Sequence, residues 1–305
     1  MNTTPPSQPQ ARERALVLGG GGSTGNAWLI GVVAGLFDAG LDVTTADLTI
    51  GTSAGSTAAA QLAGASPTEL FAAILAAAPP PQRTDTAAAD RRRGASRPVA
   101  DHLARMSTII ASSDDTADLR RRVGAAALDL AAASDGAWQT QWRATVAARL
   151  PSQQWPQRAV LITAVDARTG EPTVFDRHSG VDLADAVAAS CSSGLPFRIG
   201  DASYIDGGYR SNAENADLAA GYARVLVLSP FGGRSLTPLE WGNHLSTQVD
   251  QLRAVGSRVE TLSPNGSAEH MFGPNAMDLT LRPAAARTGY EQGMALAEPL
   301  AAFWR

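Results

Sequence analysis

Short apolar runs alternate with glycine-rich turns and helical apolar stripes over the first 65 residues. Residues 15–18 form an apolar run that ends in glycine, which is typical of a buried strand in a sheet covered on both faces. Apolar positions between residues 28 and 37 then recur at helical spacing, and Gly40 ends that helix. Residues 47–50 predict a second strand and residues 54–63 a second helix. This order predicts an α/β fold with parallel strand pairing.

The pattern is interrupted in the middle of the chain and then resumes. Residues 79–98 are Pro-rich and charged without periodicity, and helical segments are expected between residues 99 and 150, one of them at 114–133. We interpret residues 79–157 as a lid or cap inserted into a single domain of residues 15–305, which a disordered tail at 1–14 precedes. Further strands are predicted at 159–165, 172–175, 224–228 and 259–262, and further helices at 183–193, 238–256 and 283–304.

The composition of this chain of 305 residues argues against several classes of protein and of site. Its 25 basic residues are all Arg and its net charge is −4, which is atypical of nucleic-acid binders. The single cysteine, Cys191, excludes an intramolecular disulfide and a multi-cysteine zinc site. We expect no metal site, because the four histidines lack ligand spacing; they are His102, His178, His244 and His270. Because the sequence shows the pattern of neither a signal peptide nor a membrane span, we expect a cytoplasmic protein with at most peripheral membrane contact.

The sequence GTSAG at residues 51–55 follows the second predicted strand and opens the second predicted helix. In such an elbow, small residues at Gly51 and Gly55 leave room for the sharp turn, and the hydroxyl of Ser53 projects from the strand end. The helix N-terminus beside it favours developing negative charge. Ser53 is therefore a candidate nucleophile. The alternative is that its side chain merely caps the helix.

The glycine-rich sequence GGGGSTG at residues 19–25 follows the first predicted strand. Backbone N–H groups at Gly20, Gly21 and Gly22 can turn toward one anion, either the oxyanion of an acyl-transfer reaction or the pyrophosphate of a dinucleotide. Together with Gly25, the spacing also fits the NAD(P) fingerprint. That alternative needs an acidic residue at the end of the second strand to hold the ribose, and GTSAG stands there instead.

A serine nucleophile also needs a base. His244 and His270 follow the serine as in the α/β-hydrolase order, but those enzymes form several strands before the strand of their elbow, and only one strand precedes it here. The better candidate is Asp206, which Gly207 and Gly208 follow in the sequence YIDGGYRSN. An Asp before two glycines is also typical of an ordinary turn.

The three motifs together resemble the patatin-like phospholipase family, in which a glycine-rich loop, GXSXG and DGG occur in this order. The similarity extends from residue 15 to about residue 228, and the segment AVAASCSSGLPF at 186–197 resembles the one that precedes the family's catalytic Asp. The resemblance implies a three-layer α/β/α sandwich with a mainly parallel sheet. It also implies that Ser53 and Asp206 form a Ser–Asp dyad. The glycines that match the three family motifs are Gly20, Gly21, Gly22, Gly25, Gly51, Gly55, Gly207 and Gly208.

The resemblance implies hydrolysis of lipid acyl esters, of the phospholipase A, lysophospholipase or esterase type, without a metal or cofactor. A lipid and a transient membrane surface are the expected partners, and the oligomeric state stays open. Two positions depart from the family, since Thr24 stands where a basic residue is common and Ala213 follows Asn212 where Pro is common. With Asp206 as base, the acidic limb of the rate profile is expected well below the ~6.5 of histidine. An NAD(P)-dependent oxidoreductase and a non-catalytic lipid-binding protein remain the alternatives.

Overall fold

The computed structural model describes residues 12–77, 102, 104–134 and 137–305. Residues 1–11 of the predicted tail and residues 79–101 at the start of the predicted lid lie outside the described residues. The later part of the predicted lid contains helical segments, as the sequence predicts for residues 99–150.

An eight-stranded sheet forms the centre of the fold. Its strands are β1 (Arg14–Leu18), β2 (Leu48–Gly51), β3 (Ala159–Asp166), β4 (Pro172–Phe175), β5 (Phe197–Ile199), β6 (Ala202–Asp206), β7 (Arg224–Leu228) and β8 (Arg258–Leu262). Seven strands follow the order β5-β6-β3-β2-β1-β7-β8, and β4 pairs with β3. The pairs from β3 through β2, β1 and β7 to β8 are parallel, while β4 and β6 pair with β3 in antiparallel orientation. The parallel pairs confirm the predicted α/β class, and the carboxyl ends of β1 and β2 share one edge.

Helices flank the sheet. They include α1 (Gly22–Asp38), α2 (Ala54–Gly64), α3 (Pro67–Ala76), α4 (Thr116–Ala132), α5 (Ala137–Ala147), α6 (Leu183–Ser190), α7 (Leu245–Ala254) and α8 (Arg282–Trp304). Among the described residues, no helix combines the length and apolarity needed to cross a bilayer.

The two faces of the sheet bury two separate apolar cores. On β1, Leu16 and Leu18 pack with residues of α1, α2, α6 and α8, whereas Ala15 and Val17 pack on the opposite side with residues of α7. This alternation along one strand follows from the period of two that a strand imposes. The result is a three-layer α/β/α arrangement, as predicted.

Three elements differ from the sequence predictions. Helix α3 was not predicted; it begins at Pro67, because Ser66 and Glu69 form a capping box and proline suits the first helical position. The helix predicted at 238–256 begins only at Leu245, since a 3₁₀ turn and the left-handed residue Gly242 (φ 69°) precede it. The antiparallel strands β5 and β6 were not predicted, because their sequences FRI and ASYID contain no continuous apolar run.

Helices α1 and α8 pack closely through glycines on both sides. A Cβ on Gly31 or Gly35 would overlap backbone atoms of α8, and a Cβ on Gly289 or Gly293 would overlap backbone atoms of α1. Side chains at these positions would separate the two helices. The contact therefore brings the start of α8, at Arg282, next to the first turn of α1.

Candidate active site

The GTSAG motif forms a sharp elbow between β2 and α2. Ser53 lies at its apex with φ 52° and ψ −117°, a conformation that is strained for a residue with a side chain. A Cβ on Gly51 would lie 2.6 Å from Ser56 Cα, and a Cβ on Gly55 would overlap the carbonyl group of Leu18. Both glycines are therefore needed for the close approach of the elbow to its neighbours.

The hydroxyl of Ser53 points to a carboxylate and does not cap α2. Its Oγ donates to Asp206 Oδ2 at 2.8 Å and makes no capping bond. The Ser53 N–H donates to Ser190 Oγ at 2.9 Å, and Cys191 Sγ donates to the Ser53 carbonyl oxygen at 3.1 Å. Burial raises the pKa of Cys191 to about 11, so the thiol stays a neutral donor. These bonds hold the strained backbone in place from the last residue of α6 and the residue that follows it.

Asp206 ends β6 and is 7% exposed. Its Oδ1 accepts the Gly208 N–H at 2.8 Å, and its own N–H donates to the Ser192 carbonyl oxygen at 2.9 Å. Gly207 is required here, because a Cβ would overlap Thr163 on β3. The carboxylate is thus fixed by its neighbours in the orientation that receives the Ser53 hydroxyl.

Burial raises the pKa of Asp206 to about 6, although the bonds from Gly208 and Ser53 act in the opposite direction. With this value, the acidic limb of the rate profile is expected near pH 6, closer to the ~6.5 of histidine than the sequence alone predicts. An unperturbed carboxylate would be a weak base for a hydroxyl, and burial makes this one a stronger base.

The glycine loop lies directly against the nucleophile. A Cβ on Gly20 would lie 3.5 Å from Ser53 Cβ. The Gly20 N–H donates to the Ala213 carbonyl oxygen at 2.8 Å, so this amide is not free to bind an oxyanion and that part of the prediction is corrected. The Gly21 and Gly22 N–H groups, by contrast, have no acceptor among the described residues.

Neighbouring segments fix the shape of the loop. A Cβ on Gly21 would lie 2.5 Å from Pro230 Cβ, and one on Gly25 would lie 3.1 Å from the same atom. Gly22 has φ 63°, which favours glycine, and a Cβ there would lie 2.8 Å from the Ala276 carbonyl oxygen. The loop therefore keeps its shape by contacts that leave no room for side chains.

Sequence reasoning missed Asn215, which joins the two halves of the site. It is fully buried in the left-handed conformation (φ 56°), which asparagine tolerates. Its Nδ2 donates to Thr52 Oγ1 at 3.0 Å and to the Gly207 carbonyl oxygen at 2.9 Å, so it connects the neighbour of Ser53 to the neighbour of Asp206. Nothing in the local sequence indicates this role, because both partners are distant along the chain.

A second buried carboxyl, Glu214, lies beneath the glycine loop. Its Oε1 accepts from Ser229 Oγ at 2.6 Å, and its Cγ would lie 3.2 Å from a Cβ on Gly19. Burial raises the pKa of Glu214 to about 7. Glu214 directly follows Ala213, which stands where the family commonly has Pro.

Glu214→Gln is expected to reduce the dependence of stability on pH. Because folding raises the pKa of Glu214, this residue contributes about 3 kcal/mol to the free energy of unfolding below pH ~4.5. That contribution is lost as pH rises through about 7. The glutamine keeps an acceptor for Ser229 and cannot ionise. Urea unfolding between pH 4.5 and 8 measures the slope. Asp206→Asn, the matched variant, removes the part of the slope between pH ~3.8 and about 6, and an unchanged slope in Glu214→Gln contradicts the account.

The histidines do not contact the dyad in the part of the chain that the structure describes. His244 Nε2 lies 2.7 Å from the Thr237 carbonyl oxygen, and His102 Nε2 lies 3.4 Å from Tyr209 Oη. Within residues 12–77, 102, 104–134 and 137–305, no group of His, Cys, Asp and Glu side chains is arranged to hold a metal ion. The geometry therefore brings Ser53 together with Asp206 and with neither His244 nor His270.

A comparison with known protein families decides to which family the chain belongs. The family model described as patatin-like phospholipase matches residues 16–218, which include the glycine loop, the elbow and Asp206. The chain belongs to the patatin-like phospholipase family. Membership in this family implies lipid acyl hydrolase activity in general terms. A comparison with curated proteins gives no significant match.

Two solved structures are similar over most of this patatin-like chain. VipD from Legionella pneumophila is 12% identical with a TM-score of 0.42, over 96% of this chain and 68% of that one. The type III effector protein ExoU is 16% identical with a TM-score of 0.32, over 94% of this chain and 54% of that one.

Proposed function

We propose that the protein is a serine hydrolase that cleaves acyl esters of lipids, with Ser53 as nucleophile and Asp206 as general base. The observation that carries the proposal is the 2.8 Å hydrogen bond from Ser53 Oγ to Asp206 Oδ2 at the apex of a strained elbow. Nucleophile and base within hydrogen-bond reach are the requirement for covalent acyl transfer.

In acylation, Ser53 Oγ attacks the ester carbonyl carbon while its proton passes to Asp206 Oδ2. The tetrahedral intermediate then expels the alcohol, which takes the proton from Asp206, and the acyl group stays on Ser53. In deacylation, Asp206 accepts a proton from water as the water oxygen attacks the acyl carbonyl. Collapse releases the fatty acid, and the proton returns to Ser53 Oγ.

The free N–H groups of Gly21 and Gly22 are the proposed donors to the oxyanion, and we leave out Gly20 because its amide is bound to Ala213. The Ala54 N–H, directly after the nucleophile, also has no acceptor among the described residues and is a third proposed donor. By general precedent one such donor contributes roughly 3 to 4 kcal/mol to transition-state stabilisation.

The proposed substrates are acyl esters of the phospholipase A, lysophospholipase or esterase type, met at a membrane surface. Residues 79–157 are the proposed lid. The dyad chemistry uses only side chains and backbone amides, so it requires no cofactor. A dinucleotide would need an acidic ribose ligand at the end of β2, where the chain instead has the Ser53 elbow.

Covalent labelling with a fluorophosphonate probe tests the proposal. Wild type is expected to gain one label, located on Ser53 by peptide mass spectrometry, while Ser53→Ala gains none. Ser56→Ala is the matched control, because that hydroxyl lies in the same elbow and its partners among the described residues are the Ser53 carbonyl oxygen and the Cys191 thiol. A label that persists in Ser53→Ala removes the proposed nucleophile, and an unlabelled wild type leaves the non-catalytic lipid-binding alternative.

A further inference from the structure

The peptide bond between Gly207 and Gly208 orients the carboxylate of Asp206. Its N–H donates to Asp206 Oδ1 at 2.8 Å, and its carbonyl oxygen points the opposite way, because the peptide is planar and trans. That oxygen accepts from Asn215 Nδ2 at 2.9 Å and from the Arg210 N–H at 3.1 Å. The Arg210 bond lies within the same 3₁₀ turn and moves with it, so the Asn215 side chain is the partner that holds the peptide from outside the turn.

Both residues of this peptide are glycines for a packing reason. A Cβ on Gly207 would overlap Thr163, and one on Gly208 would lie 3.2 Å from Asp206 Oδ1. Without side chains, the backbone on either side of the peptide rotates with little steric hindrance. A rotated peptide would turn its carbonyl oxygen, rather than its N–H, toward the carboxylate. The close packing at Asp206 therefore needs a hydrogen bond from another residue to hold the peptide.

Asn215 is itself held in one orientation. Its Oδ1 accepts from Arg210 Nη1 at 3.1 Å, and the Arg210 guanidinium pairs with both carboxylate oxygens of Asp217 at 2.9 Å. The second proton of Asn215 Nδ2 goes to Thr52 Oγ1 at 3.0 Å. A guanidinium only donates and a carbonyl oxygen only accepts, so a reversed amide would place donor against donor and acceptor against acceptor. The amide therefore presents its N–H groups to the site and its oxygen to Arg210.

We propose that Asn215 is a positioning residue for the reaction, which keeps the Gly208 N–H on Asp206 Oδ1 so that Oδ2 faces the Ser53 hydroxyl. Its Nδ2 bonds to Thr52, Thr163 and Gly207 rather than to the reacting atoms, so it acts through the peptide that it holds. The inference rests on the proposed function, in which Asp206 is the base, and adds a residue on which the orientation of that base depends.

Loss of the Gly208 bond changes the pKa of Asp206 in a defined direction. Burial raises this pKa to about 6, and the bonds from Gly208 and Ser53 lower it. When the Gly208 N–H turns away, burial is opposed by one bond fewer, and the pKa of Asp206 rises above about 6. The acidic limb of the rate profile therefore reports whether the peptide is held.

Other titratable and charged side chains surround Asp206 and Asn215. In the described part of the chain they include Cys191, Tyr209, His102, Glu214 and the paired Arg210 and Asp217. Burial raises the pKa of Cys191 to about 11 and also raises that of Tyr209, so both stay neutral. Burial and the charge of Arg105 lower the pKa of His102, and burial raises that of Glu214 to about 7. These groups are the same in wild type and in the variants compared, so their titration does not produce a difference between them.

Asn215→Gly removes the amide and keeps the backbone, because φ 56° and ψ 42° suit glycine. Its kcat for a p-nitrophenyl ester is expected to fall about 10- to 100-fold with KM unchanged, since the base is misplaced while the substrate contacts remain. The acidic limb of its kcat/KM profile is expected to move upward from about pH 6 by about one pH unit, because a hydrogen bond to the carboxylate is lost.

Gln248→Ala is the matched control. Gln248 is 3% exposed, and its amide bonds to the Ala216 N–H, Ser211 Oγ and Asp217 Oδ1, so its loss weakens the same region of the fold. This variant is expected to have a lower melting temperature and an acidic limb that stays near pH 6. An acidic limb that stays near pH 6 in Asn215→Gly, or that moves equally in Gln248→Ala, overturns the inference.

Hydrogen exchange at the Gly208 N–H gives a second measurement, on a variant that keeps the size of the side chain. Asn215→Asp tolerates the left-handed conformation but lacks the donor to the Gly207 carbonyl oxygen. Exchange at Gly208, followed by NMR, is expected to be at least about tenfold faster than in wild type, and an unchanged rate overturns the inference. If wild-type Ser53 takes no fluorophosphonate label, or the acidic limb persists in Asp206→Asn, the proposed function itself fails.

Discussion

Asp206→Asn lowers kcat/KM for an acyl ester by about 10³-fold or more, with the folded structure retained. The asparagine Oδ1 still accepts the Gly208 N–H, but an amide in place of Oδ2 cannot take the proton of Ser53 Oγ. A positioned general base contributes roughly 10²- to 10⁴-fold, and this base serves both acylation and deacylation. Initial rates on a p-nitrophenyl ester, with circular dichroism of the same sample, measure the effect.

Asp201→Asn is the matched control, because this carboxylate is exposed in the turn between β5 and β6. Its activity is expected to equal that of wild type. Removal of the buried charge at Asp206 also raises stability at pH 8, since burial opposes ionisation there. An Asp206→Asn variant that keeps more than a tenth of wild-type kcat/KM would show that another group takes the proton.

Gly55→Ala destabilises the fold by more than about 3 kcal/mol, or roughly 10 °C in melting temperature. The new Cβ would overlap the Leu18 carbonyl group, whose oxygen also accepts the Thr52 N–H. Relief requires α2 to move away from β1, and this movement displaces Ser53 from Asp206. Thermal and urea unfolding measure the loss.

Gly266→Ala serves as the control for Gly55→Ala. Nothing lies within 4 Å of a Cβ at Gly266, and its φ is not positive, so its effect is expected within about 0.5 kcal/mol. Equal stability of Gly55→Ala and Gly266→Ala would mean that the elbow does not need the close approach of α2 to β1.

Elements with a strong apolar period were predictable, because burial on a sheet face or a helix stripe imposes that period on the sequence. The apolar run at residues 15–18 is one example, since both faces of β1 are buried. Proline and glycine were harder to interpret, since their effect depends on position. Helix α3, for example, was not predicted, although it begins at Pro67 because the Ser66 cap precedes it.

The motifs indicated Ser53 and Asp206, but contacts between segments that are distant along the chain could not be predicted from the sequence. The bond from Gly20 to Ala213 removes one expected oxyanion donor, and Asn215 connects Thr52, after β2, to Gly207, after β6. The raised pKa of Asp206 depends on burial, which only the assembled layers produce. Arg282 reaches the loop only because α8 packs against α1.

The pH dependence of fluorophosphonate labelling tests the dyad most directly, because labelling measures proton removal from Ser53 without deacylation. In wild type, the rate constant is expected to fall as pH decreases through about 6, the pKa of Asp206. In Asp206→Asn it is expected to be about 10³-fold lower and to lack this acidic limb. A limb near pH 6 that persists in Asp206→Asn, or labelling at the wild-type rate in that variant, would contradict the assignment of Asp206 as the base.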